Sequence, residues 1–368
     1  MGLGNILIGK DAMTTKKRGK LQIGIVGGGM IAQAHMNNFR DDHRTEIRWL
    51  AEIDKAALGT VAKEYAVPRQ TVDYREMLAD KELDAVVTCT PPSSHCRIGI
   101  DTLRAKKHLM MEKPLARTVT EAKRLLREVH KHPELMVTGC SCRHARLNPK
   151  FKHVKQLIES GKLGEIYFIH HRVVGRQERP GIEYHPTAKW FLDRELAGGG
   201  PLWDWGVYDL SFHLGVLDQP QLERVEAFCV NGLDQVNPGT SRFTVEEHGG
   251  AMMHFTNGLK YFWERAANAH LQVPNQTCIY GTKGGIRFDY TSWGSNEIEF
   301  FYVGKAGHGK PRSRILKVHM ANHNRGDMYP LGQAFIKGVQ KRGPAPMPLD
   351  IEVKNLEILN KIYKAANW

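Results

Sequence analysis

The passage that most constrains this chain is Leu21–Ala32: a short apolar run, Leu-Gln-Ile-Gly-Ile-Val, then Gly27-Gly28-Gly29-Met-Ile-Ala32 and a helical stretch to Phe39. It fits GxGxxG/A between a strand and a helix. Gly27 makes the tight turn, Gly29 lets a pyrophosphate approach the backbone, and Ala32 lets helix pack closely on strand. The first helical amides, at Met30 and Ile31, then face the phosphates, where their partial positive charge favours an anion. Glycine turns are common, so the pattern gains its force from the segment downstream. Glu46–Asp54 reads as a second strand ending in acids. A carboxylate there accepts the ribose hydroxyls of an adenosine and repels a 2′-phosphate. Glu52 is the first choice for that role and Asp54 the second, so NAD is expected over NADP.

The alternation continues through Leu83–Thr90, a continuous apolar run of buried-strand type closed by Pro91-Pro92-Ser93-Ser94-His95, then a helix over roughly 95–105. Lys107–Met111 comes next and leads into Glu112-Lys113-Pro114. Ligands of an open α/β sheet sit beyond the carboxyl ends of its strands, so loops 27–32, 90–95 and 112–114 are expected around one crevice. Proline at 114 holds Lys113 in an extended conformation at that rim.

At 368 residues the chain is long enough for two domains with substantial cores. No run of eighteen apolar residues occurs and the start lacks a signal-peptide pattern, so a cytoplasmic protein without a membrane segment is expected. The six cysteines form no CxxC pair and no Cys/His spacing suited to zinc, and Cys140 and Cys142 alternate as in a strand; no metal is expected. The net charge of +13 draws +4 from residues 1–20, where Lys10, Lys16, Lys17, Arg18 and Lys20 stand against Asp11. The remainder is scattered, with no basic run interleaved with aromatics, so a solvated surface rather than a nucleic-acid partner is expected.

Phe151–Ser160 reads as a helix and Glu165–Val174 as a strand. Further strand-like runs lie at about 222–231, 244–256, 259–268, 276–289 and 296–303, and helix returns at Leu331–Gln340 and Ile351–Ala366. The fold class expected is α/β: an N-terminal Rossmann doubly wound parallel sheet, then an α+β domain with a large open, mostly antiparallel sheet. The divisions are a basic arm (1–20), a dinucleotide-binding domain (21–142) and a substrate-binding and oligomerisation domain (143–368). Within the last of these, Pro201 opens a helix in which Trp203, Val207, Leu210, Leu214 and Leu217 form the buried stripe. Asp204 and Tyr208 share the neighbouring face, while His213 points elsewhere.

In family order over nearly the whole length, the chain resembles the Gfo/Idh/MocA oxidoreductases. The matching residues are Gly27–Ala32, Glu52, Thr90–His95, Glu112-Lys113-Pro114, Arg146-Leu147-Asn148-Pro149, Trp190–Gly200, Asp204 and the position of Tyr208. The resemblance implies that Gly27, Gly29, Met30, Ile31, Glu52, Thr90, Pro91, His95, Glu112 and Lys113 hold the cofactor, and that Lys113, Asp204 and Tyr208 surround nicotinamide and substrate. Many relatives carry histidine where Tyr208 stands. The implied reaction is hydride transfer from a ring secondary alcohol of a sugar, glycoside or cyclitol, with pyranoside C3 the first choice. Tyr208 is then expected to take the hydroxyl proton, Lys113 to favour its phenolate or polarise the substrate oxygen, and Asp204 to orient either. His185 is a rival base, and Arg146, His185 and Trp190 are candidate substrate contacts. Alternatives are an inositol or dihydrodiol dehydrogenase, a glycosidase that retains NAD, and a non-catalytic dinucleotide-binding regulator. An exposed sheet face needs cover, so a homo-oligomer is expected.

Overall fold

The computed structural model describes residues 19–178, 188–233, 243–292, 295–304, 309–320 and 326–368. Most of the basic arm, and His185, lie outside the described residues. The first half alternates strand and helix: β1 (Leu21–Val26), α1 (Met30–Arg40), β2 (Thr45–Ala51), α2 (Lys55–Glu64), β3 (Arg69–Thr71), α3 (Tyr74–Leu78), β4 (Ala85–Thr88), α4 (Pro92–Arg104), β5 (His108–Met111), α5 (Val119–Val129) and β6 (Val137–Gly139). The six strands are parallel in the order β3-β2-β1-β4-β5-β6. Every residue of β4 is buried, as a strand covered on both faces requires. The strand order reverses between β1 and β4, which is where a crevice opens in this topology.

After β6 the chain makes a 3-10 turn, Cys140–Arg143, where alternation of the cysteines points to a strand. β6 has only three residues and ends at Gly139, and the turn then carries the chain beneath the C-terminal segment, where Ser141 bonds to Glu352. The second half contains α6 (Pro149–Glu159), β7 (Ile166–Val174), α7 (Arg194–Ala197), α8 (Pro201–His213), β8 (Leu222–Val230), β9 (His248–Phe255), β10 (Lys260–Ala266), β11 (Val273–Gly281), β12 (Gly284–Phe288), β13 (Glu297–Tyr302), β14 (Arg312–Lys317), α9 (Met328–Val339) and α10 (Leu349–Ala365). The second sheet has eight strands in the order β14-β13-β12-β11-β7-β10-β9-β8, antiparallel except for the β7–β10 pair. The run at 276–289 is two strands, and β14 carries no apolar alternation that would announce it: Arg-Ser-Arg-Ile-Leu-Lys is an edge strand guarded by basic residues.

Helix α8 departs from the expected single stripe. Twelve of its thirteen residues are buried, all but Trp205. It lies in one core with Tyr261 and Trp263 of the large sheet, Leu356 and Leu359 of α10, and Cys96 and Leu125 from the first half. Leu331, Phe335 and Ile336 of α9 join the core beneath β1 and β4. The segment 143–368 is thus continuous in sequence but not in packing, because its last helices return to the N-terminal half.

Candidate active site

The crevice begins at β1. Gly27 turns at φ +95°, and a Cβ there would stand 2.9 Å from the Cys89 carbonyl oxygen. Gly29 is the N-cap of α1 with no side chain capping it, and a Cβ built on it meets nothing within 4 Å. The amide end of α1 is therefore open to an anion. Glu52, just beyond β2, is fixed there: Oε2 accepts from the Gly28 amide at 2.6 Å and Oε1 from the Asp54 amide at 3.0 Å. Asp54 is committed to capping α2 through the Ala56 and Ala57 amides, which separates the two acids the sequence left as first and second choice.

A cavity of about 690 Å³ runs along this edge, lined by Gly27, Gly29, Met30, Ile31, Glu52, Thr90, Pro91 and Trp190. Trp190, expected on the substrate, lines this cavity with the glycines and Glu52, stacked on Phe191 with centroids 3.9 Å apart. His95, expected on the cofactor, is fully buried, with ring nitrogens 2.7 Å from the Thr90 carbonyl oxygen and 2.9 Å from that of Pro114. It ties two rim loops together from behind. Burial pushes its pKa down, against the effect of those two bonds.

Where that rim meets α8, charged groups from three segments converge. Lys113 Nζ donates to Asp204 Oδ1 at 2.5 Å and to the Asp204 carbonyl oxygen at 3.2 Å, and both side chains are almost fully buried, with exposures of 6% and 5%. Glu112 stands behind Lys113, with Oε1 2.8 Å from His35 Nε2 and Oε2 accepting from the Lys113 amide at 3.0 Å. Burial alone would raise the Glu112 pKa, but the His35 bond and the charges of Arg143, His35 and Lys113 hold it well below the ordinary range. His35, Glu112 and Cys140 offer ligand atoms within 4.8 Å of one another, yet the Glu112 oxygens are already bonded within the chain.

Tyr208, one turn past Asp204, is fully buried. Its hydroxyl accepts from Arg143 Nη2 at 2.8 Å, Lys113 Nζ lies over its ring 5.1 Å from the centroid, and the His144 ring meets it edge-on at 4.7 Å. Arg143 and His144 both reach Asp327, at 3.1 and 3.2 Å, immediately ahead of α9. The face expected to meet ligand is therefore closed in this state, and a substrate reaching Tyr208 must displace atoms that now cover it.

The structure thus brings Lys113, Asp204 and Tyr208 together, in the loop and helix next to the Pro114 carbonyl that His95 ties to the groove's Thr90. Arg146 is half-buried and its Nε has no partner among the described residues; the arginine that reaches Tyr208 is Arg143, three residues earlier. Sequence reasoning missed Arg143, His144 and Asp327. The available signal was position, since residues just past the last parallel strand belong at the crevice rim. His213, expected only to face away from Asp204, points into the sheet, with Nδ1 2.6 Å from the Tyr261 hydroxyl and Nε2 3.0 Å from Thr277 Oγ1. The start of α8 is secured by Glu246, which accepts from the Gly200 and Leu202 amides, each at 2.9 Å. No sequence neighbour of α8 announces that cap.

Comparison with known proteins agrees with this architecture. Residues 21–139 match the family model described as the oxidoreductase family, NAD-binding Rossmann fold, of GFO/IDH/MocA, and residues 151–287 match the GFO/IDH/MocA C-terminal domain. Among relatives, myo-inositol 2-dehydrogenase of Thermotoga maritima is 23% identical over 88% of this chain and 90% of its own length. D-glucoside 3-dehydrogenase of Escherichia coli is 28% identical over 59% of each. The fold is shared with a solved levoglucosan dehydrogenase in complex with NADH and levoglucosan, at a TM-score of 0.80 and 21% identity, covering 95% of this chain and 97% of that one. With both domain models matched in order on the expected fold, the chain belongs to the Gfo/Idh/MocA family of oxidoreductases.

Proposed function

We propose that this protein is an NAD-dependent dehydrogenase of a ring secondary alcohol in a sugar, glycoside or cyclitol, with C3 of a pyranoside the first choice. The observation that carries the reading is the buried Lys113–Asp204 pair beside Tyr208, tied through His95 to the Thr90 rim of a groove whose glycines and acid suit a dinucleotide. The residues fit NAD: Gly29 leaves open space over the start of α1, the α1 amides are uncapped, and Glu52 stands where ribose hydroxyls would lie and a 2′-phosphate would be repelled. When bound, the nicotinamide supplies the hydride acceptor.

Every other part of the chemistry falls to the chain. Lys113 donates to the substrate oxygen, Asp204 holds Lys113 in place, and Tyr208 takes the hydroxyl proton as the carbonyl forms. The names of the inositol and glucoside relatives support a cyclic polyol as substrate, and the first of them keeps a free cyclitol as the second choice. Tyr167, Phe228, Tyr280 and Ile315 remain exposed on strands of the large sheet, in keeping with self-association of this chain.

The test is a panel of glycosides, free sugars and cyclitols offered with NAD and with NADP, with absorbance of the reduced nicotinamide and product analysis as the readouts. At least one ring alcohol should reduce NAD in preference to NADP, and Lys113→Ala should lower kcat by about 10²- to 10⁴-fold. Failure of every polyol to reduce either cofactor would sink the reading. Release of free sugar without net reduction would favour a glycosidase.

A further inference from the structure

We infer that Arg143, rather than Lys113, sets the protonation of Tyr208, leaving Lys113 with Asp204 to bind the substrate oxygen. The inference rests on the dehydrogenase reading above and divides the labour within it.

The groups facing Tyr208 come from four segments. Lys113 stands over the ring from the loop after β5, with Glu112 behind it. Arg143 and His144 approach from the 3-10 turn after β6. Asp204 lies one turn back on α8. Asp327, ahead of α9, reaches the ring's neighbours through Arg143 and His144. Of the two cations, Arg143 donates a hydrogen bond to the phenolic oxygen, at 2.8 Å. Lys113 directs Nζ to the Asp204 carboxylate and carbonyl and meets Tyr208 across the ring face. A donor aimed at the oxygen favours the phenolate directly, whereas the Lys113 charge is paired with the Asp204 carboxylate at 2.5 Å.

Arg143 is also the better chemical choice. A guanidinium stays protonated at any working pH, so it stabilises the oxygen without competing for the proton in transit. An ammonium is itself titratable, which suits it to polarising a substrate oxygen. The Arg143 guanidinium is fixed: Nε pairs with Asp327 and Nη1 reaches Met328 Sδ at 3.0 Å. Burial works against its charge, but Tyr208, Asp327 and Glu112 more than offset this and hold its pKa above the ordinary value. By reciprocity, whatever keeps the proton on Arg143 through Tyr208 favours its loss from Tyr208. In the forward step the substrate C–H pair leaves as hydride to the nicotinamide, the carbonyl forms, and the hydroxyl proton passes to the Tyr208 oxygen. Arg143 keeps its own protons throughout. Because it acts through Tyr208, Arg143 is a positioning residue.

Two readouts on the full chain test this. In the first, tyrosinate absorbance is titrated for wild type minus Tyr208→Phe, isolating one tyrosine among the eleven, and again with Arg143→Gln in both members. The Tyr208 transition should move to higher pH by at least one unit, a tenfold or greater gain in proton affinity, and Arg143→Lys should restore part of the shift. In the second, the rising limb of kcat/KM against pH should move upward by a similar amount in Arg143→Gln, so that the loss at pH 7 shrinks as pH rises. In Lys113→Met the limb should keep its position while kcat falls at every pH. NADH fluorescence confirms that each variant retains a folded dinucleotide groove. An unmoved Tyr208 transition in Arg143→Gln, or a limb displaced by Lys113→Met and not by Arg143→Gln, overturns the inference. If no polyol is oxidised by wild type, the dehydrogenase reading fails, and the titration alone still decides for or against Arg143.

Discussion

Helix α8 carries two buried aspartates five residues apart, and they are used in opposite ways. Asp209 faces the large sheet. Arg265 grips it with Nε at 2.5 Å and Nη2 at 2.8 Å, Trp263 Nε1 donates at 2.8 Å, and the Tyr290 hydroxyl and His171 complete the shell. Burial pushes its pKa up, but Arg265 and His171 prevail and hold it well below the ordinary value. All these partners belong to the second domain, so the charge locks helix to sheet. Asp204 faces the other way and meets Lys113, a compact point charge delivered by the N-terminal half. A planar, bidentate clamp serves a contact that has only to hold. An ammonium serves a contact that must also present donors to something else. Between them Trp205 spans the helix face, with Arg265 4.7 Å from its ring centroid and Tyr208 5.5 Å away centroid to centroid.

The sharpest way to break this comparison is to remove each cation and then each whole pair. Arg265→Met leaves Asp209 buried and uncompensated and should lower unfolding stability by about 3–5 kcal/mol, measured by denaturant titration; Lys113→Met should do the same through Asp204. The double replacements are expected to differ. Arg265→Met with Asp209→Leu replaces a buried pair by apolar groups and should regain most of the stability and, with it, turnover. Lys113→Met with Asp204→Leu should regain stability while turnover stays down by about 10²- to 10⁴-fold. If that second double variant recovers turnover, the Asp204 pair is scaffold like its neighbour.

A third carboxyl near α8 sharpens the contrast by pairing with hydroxyls and amides rather than with a cation. Glu352 of α10 accepts from the Ser141 hydroxyl and, at 3.4 Å, from the Ser141 amide. Ser141 in turn accepts at 3.4 Å from the Ser211 hydroxyl of α8, which itself accepts from Asn355 at 2.9 Å. Burial raises the Glu352 pKa to about 7, the Ser141 bonds opposing. The folded chain therefore keeps a proton that the unfolded chain releases near pH 4.5. Stability from this group is complete below that pH and is lost as pH rises through 7, by up to about 3 kcal/mol. Glu352→Gln should flatten thermal stability between pH 5 and pH 8 and leave the variant the more stable protein at pH 8. A variant as pH-dependent as wild type would show that the ionisation lies elsewhere.

Legibility in the sequence divides along the same line. The glycine turn, Glu52, the extended Lys113 and the Asp204–Tyr208 face are local: spacing along one strand or one helix places them. Arg143 was not legible, because it depends on a 3-10 turn forced where a three-residue strand ends under α10. Nor was the full burial of α8. Its polar residues Asp204, Asp209 and His213 are spread around the axis and give no sign of burial until Lys113, Arg265 and Tyr261, distant in sequence, arrive to satisfy them. Cross-chain partners of this kind leave no periodic signal, and they decide which side of a helix is wet. Asp54 and Glu52 show the limit at short range as well: both end the same strand, and only the geometry gives one to the helix cap and the other to the groove.

The smallest predicted effect repeats the contrast between holding and binding within three residues. Gly27 is scaffold: its positive φ and the nearby Cys89 carbonyl make any side chain strained, so Gly27→Ala should lower stability by about 1–3 kcal/mol with or without dinucleotide present. Gly29 is open: its backbone is extended at φ −67°, ψ −177°, and a methyl group there touches nothing in the chain. Gly29→Ala should therefore leave unfolding stability within about 0.5 kcal/mol of wild type. Its methyl group would instead occupy the space a pyrophosphate needs, so NADH affinity, read by fluorescence titration, should weaken by at least about tenfold, equal to 1.4 kcal/mol. If Gly29→Ala binds NADH as wild type does, the phosphates do not cross the start of α1 and the groove must be entered from another side. If it unfolds as readily as Gly27→Ala, the space beside Gly29 is not free and both glycines belong to the scaffold.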